Sequence, residues 1–423
     1  MKPRVTLSLH WFCLCAHLLF LSCKLPSLEN GCDPGSESFQ DFYLARILVD
    51  DDREYCGSVA PNRSICEMNP LEVIQPRRWK YVSAEMKKQA ALGSTGVSST
   101  TFTPPYTGFA KWLGGVLADN GKIYSMPFNQ SDILVIDPST NGTTSFSSGA
   151  SGGGLWEGGV LAPNGKIYGI PRDGNQILVI KPETNESYTL PTPETGLGKW
   201  RGGVLAPNGL IYGIPMGVSK ILVIDPKTDS VRTIPSPLSE TNMWEGGVLA
   251  PNGKIYAFPV VSNYIFVLDP YSERSYLLPQ PKTFNINNKW RHAVVTPNGK
   301  IFAMAADDSH FLILDPTNDS ISLWPSPIAN TGKLRGGILA ADGKIYGIPA
   351  DIDQFIIIDP ETLTSTTYSS GVATFNKWGD AVYAPNGKIY TIPHSDDSVF
   401  ALNPGAKGKI CDSLLRSSYW NSY

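Results

Sequence analysis

Two side chains occupy positions where the chain otherwise keeps bare backbone. Across most of its 423 residues one phrase recurs, written around Trp200 as WRGGVLAPNGLIYGIP and around Trp156 as WEGGVLAPNGKIYGIP. The Gly-Gly pair of that phrase becomes His292-Ala293 in the fifth copy and Asp380-Ala381 in the seventh. A histidine and a carboxylate in mutual reach can pass a proton or hold a metal ion. Glu245 and Arg335 stand one position earlier in the fourth and sixth copies. His292, Asp380, Glu245 and Arg335 are therefore the catalytic set expected if the protein is an enzyme. The competing expectation is that His292 and Asp380 only fill space where the repeat has drifted.

A second set is repeated in every copy. The residue after each leading position runs Leu113, Glu157, Arg201, Glu245, Arg291, Arg335, Gly379, and lysine precedes five leading positions as Lys111, Lys199, Lys289, Lys333 and Lys377. Near-alternation of Glu and Arg suggests ion pairs that satisfy one another. The functional alternative is a binding set of Glu157, Arg201, Glu245, Arg291 and Arg335, in which the arginine forks take a carboxylate, a phosphate or a sugar. The leading tryptophans, Trp112, Trp156, Trp200, Trp244, Trp290 and Trp378, suit a core wedge better than a sugar platform. His310 and His394 follow the second strand of their copies, where exposed loops are expected, and scattered histidines make no zinc motif. Gly149-Ala150-Ser151-Gly152-Gly153 matches G-x-S-x-G, but a nucleophile elbow needs a strand–turn–helix setting and this is a Ser/Gly-rich connector. No phosphate loop, HExxH or dinucleotide fingerprint is present.

The elements that must position these residues follow from the period. The leading positions are Trp112, Trp156, Trp200, Trp244, Trp290, Leu334 and Trp378, which are 44, 44, 44, 46, 44 and 44 residues apart. Each copy reads as four short strands. GGVLA and KIYGIP are joined by Asn-Gly or Asp-Gly, as at Asn120-Gly121 and Asp342-Gly343, and both residues of a type I′ hairpin need positive φ. The third strand, ILVIDP, is an apolar run closed by Asp-Pro. The fourth is shorter and more variable, as in SYTLP from Ser187. Such sheets cannot bury two apolar faces alone, so stacking around an axis is expected. The fold class is all-β, a seven-bladed β-propeller with four antiparallel strands per blade over 97–405. The last copy lacks a clear fourth strand, and Ser99–Phe102 is spaced to supply it. The Glu and Arg positions then fall at one mouth of the central channel.

The ends differ in kind. Residues 1–23, with Lys2 and Arg4 before an apolar run, read as a secretory signal peptide, with no later membrane span. Residues 24–96 read as a small, partly helical extension, and 406–423 as a tail. Cys32, Cys56, Cys66 and Cys411 remain after signal removal, and an even count in a secreted chain favours two disulfides, one joining the two ends. Asn62, Asn129, Asn141, Asn185 and Asn318 lie in N-x-[ST] sequons usable in a eukaryotic secretory pathway. The formal charge of -3 and the absence of a basic run argue against nucleic acid as a partner.

In strand order and turn placement, residues 98–404 resemble NHL, gluconolactonase and virginiamycin-lyase type propellers. The WxGGVLAPNGKIYGIP wording itself matches none of them closely. The resemblance implies a propeller and, for the lactonase type, a channel site that uses calcium. The reading from the residues is a secreted recognition module for an extracellular protein or glycan, such as an extracellular-matrix component, with no cofactor. The alternative is a lactonase-like hydrolase or lyase, for which calcium is possible.

Overall fold

A computed structural model describes residues 96–405, apart from 239, 241, 242, 281–287, 297, 330 and 341. The expected signal peptide, the N-terminal extension, the four cysteines and Asn62 lie outside the described residues. Among those described, the regular elements are strands, arranged as seven four-stranded antiparallel sheets. Six sheets take their strands in chain order. Blade one is Trp112–Leu117, Ile123–Pro127, Asp132–Asp137 and Gly142–Ser147. In the seventh, Ser98–Phe102 pairs with Val399–Asn403, from Ser98 opposite Asn403 to Phe102 opposite Val399. The N-terminal segment therefore closes the ring, as the spacing of Ser99–Phe102 implies.

Local chemistry explains each blade. The turn is not the expected type I′, because Gly121 takes φ 78 while Asn120 does not share the left-handed region; Gly121 N donates to Ala118 O at 3.0 Å, and the Asn120 side-chain oxygen accepts from Lys122 N at 3.1 Å. Asp137 Oδ1 accepts from Ser139 N at 2.9 Å and so turns the chain after the third strand. Ile133, Leu134, Val135 and Ile136 are all buried, as a strand covered on both faces requires. The outer strands are half-exposed, and those at Gly142–Ser147 and Ser320–Pro325 alternate over most of their length.

The tryptophans are core. Each is at most 1 % exposed, and its indole N–H donates to the carbonyl that begins the third strand, as from Trp112 to Asp132 at 2.7 Å and Trp200 to Lys220 at 2.8 Å. Burying 150–250 Å² per ring is worth at most about 4 to 6 kcal/mol. No ring face is left for a sugar.

A belt of backbone bonds ties the blades at the end of the ring where the tryptophans sit. Lys111 N donates to His394 O at 2.8 Å across the joint between blades seven and one. Leu155 N to Phe128 O, Lys199 N to Arg172 O and Lys377 N to Ala350 O repeat it. The five lysines are fully buried. Their ammonium groups are capped by carbonyls of the preceding blade, as in Lys377 to Ala350 and Ile352 at 3.0 and 2.8 Å. Burial pushes Lys289 down to about 8. These lysines are blade clamps, not ligands of anything in the channel.

At the opposite end, tyrosines reach the next blade. Tyr124 donates to Pro182 O at 2.9 Å and to Asn185 Oδ1 at 2.8 Å, and Tyr390 donates to Asn141 Oδ1 at 2.9 Å. Asn141 and Asn185 thus sit in left-handed turns with their carbonyl oxygens engaged. Asn318 occupies the turn before blade five's outer strand, and Asn129 accepts from Gly154 N at 2.9 Å.

Candidate anion site at the axial opening

The inner strands deliver the site. In each blade the register of the first and second strands shifts just after the leading position, a one-residue bulge. Bulges re-aim side chains, and the consequence here is that residues from successive blades meet one another. Gly114 is needed because a Cβ there would lie 2.6 Å from Gly158 Cα.

An arc of charge runs from blade two to blade five. Arg172 Nε lies 3.4 Å from Glu157 Oε2, and Glu157 Oε1 lies 2.9 Å from Arg201 Nε. Arg201 Nη1 donates to Glu245 Oε2 at 2.8 Å, and Arg291 Nε lies 3.5 Å from that same oxygen. Both glutamates are fully buried, while the arginines are 12–25 % exposed. Burial pushes the Glu245 carboxyl up. Arg201, Arg291, His292 and Arg335 together outweigh that and hold it well below the usual carboxylate range. Arg335 of blade six extends the arc, with Nη2 3.4 Å from Asn376 Oδ1. The alternation in the sequence is therefore a real ion-pair arc, but it is not a full ring. Blade one offers Leu113, and blade seven offers Gly379, whose absent Cβ would lie 2.7 Å from the Leu113 side chain.

The proposed catalytic quartet is divided. His292 Nε2 sits 3.8 Å from Glu245 Oε1. Its ring lies between Gly246 and Gly336, in contact range of a Cβ built on either. Burial pushes it down to about 4, with Arg335, Arg291 and Arg201 adding to the effect against Glu245, so it is neutral at pH 7. His292 also holds φ 51, the left-handed region that blades one to four fill with glycine at the same place. Asp380 turns elsewhere. Its Oδ2 accepts from Gly115 N at 3.0 Å, at the joint between blades seven and one. Burial pushes it up to about 7 against the backbone bonds from Gly115 and Ala381.

Two histidines differ from the sequence expectation. His310 opens the third strand of blade five, beside Asp308 Oδ1 at 3.3 Å, and is not in a loop. His394 is buried, because its Nδ1 reaches the Trp112 carbonyl at 3.0 Å across the ring joint. It packs edge-on to Phe128 with centroids 5.7 Å apart, and the Arg172 guanidinium lies 5.2 Å from the Phe128 ring centre. Burial pushes His394 down to about 3, and Arg335 is the next contributor. Sequence reasoning gave Phe128 and Arg172 no role and placed His394 in an exposed loop. The available signal was their shared offset, the residue after the proline or its equivalent that ends each second strand.

Among the described residues no group of three His, Cys, Asp or Glu side chains converges to hold a metal ion. Calcium does not fit this donor set, since Glu157 and Glu245 already serve guanidiniums. What the arrangement can do is present the partly exposed guanidiniums of Arg172, Arg201 and Arg291 to a solute.

No protein-family description matches the chain, and no curated protein does either. Solved structures do. A streptogramin B lyase superposes with a TM-score of 0.63 at 13 % identity, covering 74 % of this chain and 99 % of that one. Virginiamycin B lyase from Staphylococcus aureus gives 0.61 at 13 %, over 73 % and 99 %. Hydrazine synthase from Kuenenia stuttgartiensis gives 0.53 at 15 %, over 69 % and 95 %. At these identities the likeness is one of fold, a propeller of the virginiamycin-lyase type.

Proposed function

We propose that the protein is a secreted binding module that takes an anionic extracellular ligand, on a glycan or a protein, at the arginine-rich axial opening. One observation carries this reading. Arg172, Arg201, Arg291 and Arg335 gather around Glu157 and Glu245, with Asp173 3.9 Å from Arg172, so four guanidiniums face three carboxylates in a cluster where His292 and His394 are neutral. Three of the four guanidiniums, those of Arg172, Arg201 and Arg291, are partly exposed, and exposed arginines that outnumber nearby carboxylates suit a carboxylate or sulfate. The test is a binding screen of acidic and neutral glycans and matrix proteins against the full chain and Arg291→Met. Salt-sensitive binding of acidic ligands, weakened in the variant, is expected. Equal binding of neutral and acidic ligands, or none to either, overturns the reading.

A second reading has its own observation. His292 is a neutral base on a left-handed backbone beside Glu245, and backbone strain at a non-glycine residue is often kept for chemistry. Similar folds include virginiamycin B lyase, one structure of which is a catalytically inactive histidine-to-alanine variant with quinupristin. In this reading the protein is a lyase or hydrolase with His292 as base and Arg335 holding the substrate. Incubation with quinupristin and with simple lactones tests it. Unchanged substrates, or activity fully kept in His292→Ala, remove it.

A further inference from the structure

We infer that the ligand carries its anion on a flat ring, because blades seven, one and two build a ring-binding face, His394, Phe128 and Arg172, beside the anion-binding arc. The inference rests on the anion-binding reading and names the class of anion.

The face comes from one repeat position. The residue after each second strand runs Phe128, Arg172, Met216, Val260, Ala306, Ala350, His394. All seven have equivalent backbone placement, since each N–H donates to the residue before the leading position of its own blade, as in Phe128 N to Lys111 O and His394 N to Lys377 O. Equivalent backbone with unequal side chains makes the opening lopsided. Ala306 and Ala350 are small and buried on blades five and six, where the arc ends in Arg291 and Arg335. On the other side stands the Phe128 ring, with the His394 imidazole edge-on to it and the Arg172 guanidinium over it.

That trio is held in place. The bond from His394 Nδ1 to the Trp112 carbonyl fixes the neutral tautomer and leaves Nε2 as an acceptor. His394 is a positioning residue, and its ring sets the Phe128 ring at 62°. Phe128 in turn supports Arg172, which is a quarter exposed. Arg172 also touches Glu157, so one side chain belongs both to the ring face and to the arc. A planar solute stacked on this face would have its carboxylate within the field of the arginines, whereas an aliphatic anion would gain only the charge. Aromatic rings and guanidiniums both favour flat partners.

Benzoate, cyclohexanecarboxylate and acetate, titrated into the full chain by ligand-observed NMR, test this. Benzoate is expected to bind about fivefold more tightly than acetate, the size of one aromatic contact. Phe128→Leu, which keeps bulk and loses the ring, is expected to erase that preference, so that benzoate and acetate bind alike. Should Phe128→Leu misfold, Arg172→Met with the same three solutes gives a second route, and loss of the benzoate preference is again expected. Equal binding of benzoate and acetate, or cyclohexanecarboxylate matching benzoate, overturns the ring face and leaves the anion site standing. Binding of none of the three overturns both.

Discussion

The Glu245 carboxylate accepts a hydrogen bond from Arg201 at 2.8 Å, and the same oxygen lies 3.5 Å from Arg291. One buried carboxylate in blade four therefore joins the inner strands of blades three and five. Removing one partner of a buried ion pair leaves the other desolvated and uncompensated, which costs about 3 kcal/mol or more. Glu245→Gln keeps the shape and loses the charge. It is expected to destabilise by about 3 kcal/mol in chemical denaturation, and Glu245→Gln with Arg291→Met, whose guanidinium serves Glu245, is expected to recover part of that. Additive losses in the double variant would mean that the two residues are not coupled.

Asp380 gives a pH dependence of known sign. Its folded-state pKa, about 7, is above the ordinary carboxylate value. The folded state then binds more protons than the unfolded state between about pH 4 and 7, so stability falls as pH rises through that window. Asp380→Asn can still accept from Gly115 N and carries no charge. It is expected to be more stable than the parent at pH 8 and no more stable at pH 4. His292 and His394 act oppositely. Their folded values, about 4 and about 3, lie below that of an unfolded histidine. Their contribution is present above about pH 6.5 and is lost as pH falls. Melting curves of the parent and Asp380→Asn across pH 4–8 separate the two effects, and a gap between the two proteins that does not grow as pH rises would contradict the burial of Asp380.

The blade order and the latch are legible in the sequence because strand, turn and period repeat the same physics seven times. Asn120-Gly121 and its counterparts fix hairpins, ILVID runs fix buried strands, and the shortage of one strand at the end calls for Ser98–Phe102. The ion-pair arc is legible too, since residues at one offset in neighbouring blades must meet. What is not legible is direction. His292 and Asp380 hold the same offset, yet the bulge falls at His292 in blade five and one residue earlier, at Gly379, in blade seven. That one-residue difference sends the imidazole to Glu245 and the carboxylate to Gly115. His394 reads as an exposed loop residue because its partner, the Trp112 carbonyl, is 282 residues away and meets it only when the ring closes.

The backbone at His292 has a separate consequence. A non-glycine residue in the left-handed region costs about 1 to 2 kcal/mol, and His292 has φ 51. Alanine would keep that strain and lose the ring packing, while glycine would lose only the packing. His292→Gly is therefore expected to be more stable than His292→Ala by about 1 kcal/mol. Equal denaturation midpoints for the two variants would mean that the local backbone relaxes without glycine.

The latch strand joins the two ends of the ring through side chains as well as through its ladder. Ser98–Phe102 pairs along its whole length with Val399–Asn403, Phe102 meets the Tyr390 ring at 6.3 Å, and Ser99 Oγ lies 3.1 Å from the Tyr368 hydroxyl of blade six. Deleting 97–104 would uncover the edge of Val399–Asn403 and the apolar cluster around Phe400 and Tyr390. Losing one half-buried aromatic and a ladder should cost roughly 3 kcal/mol or more. A marked fall in melting temperature is expected, with increased self-association through the freed edge. Phe102→Ala alone should give a smaller fall in the same direction and no self-association, since the ladder survives. A deletion variant that melts like the parent would mean that the ring is held shut by the backbone belt at Lys111 and His394 without its outer strand.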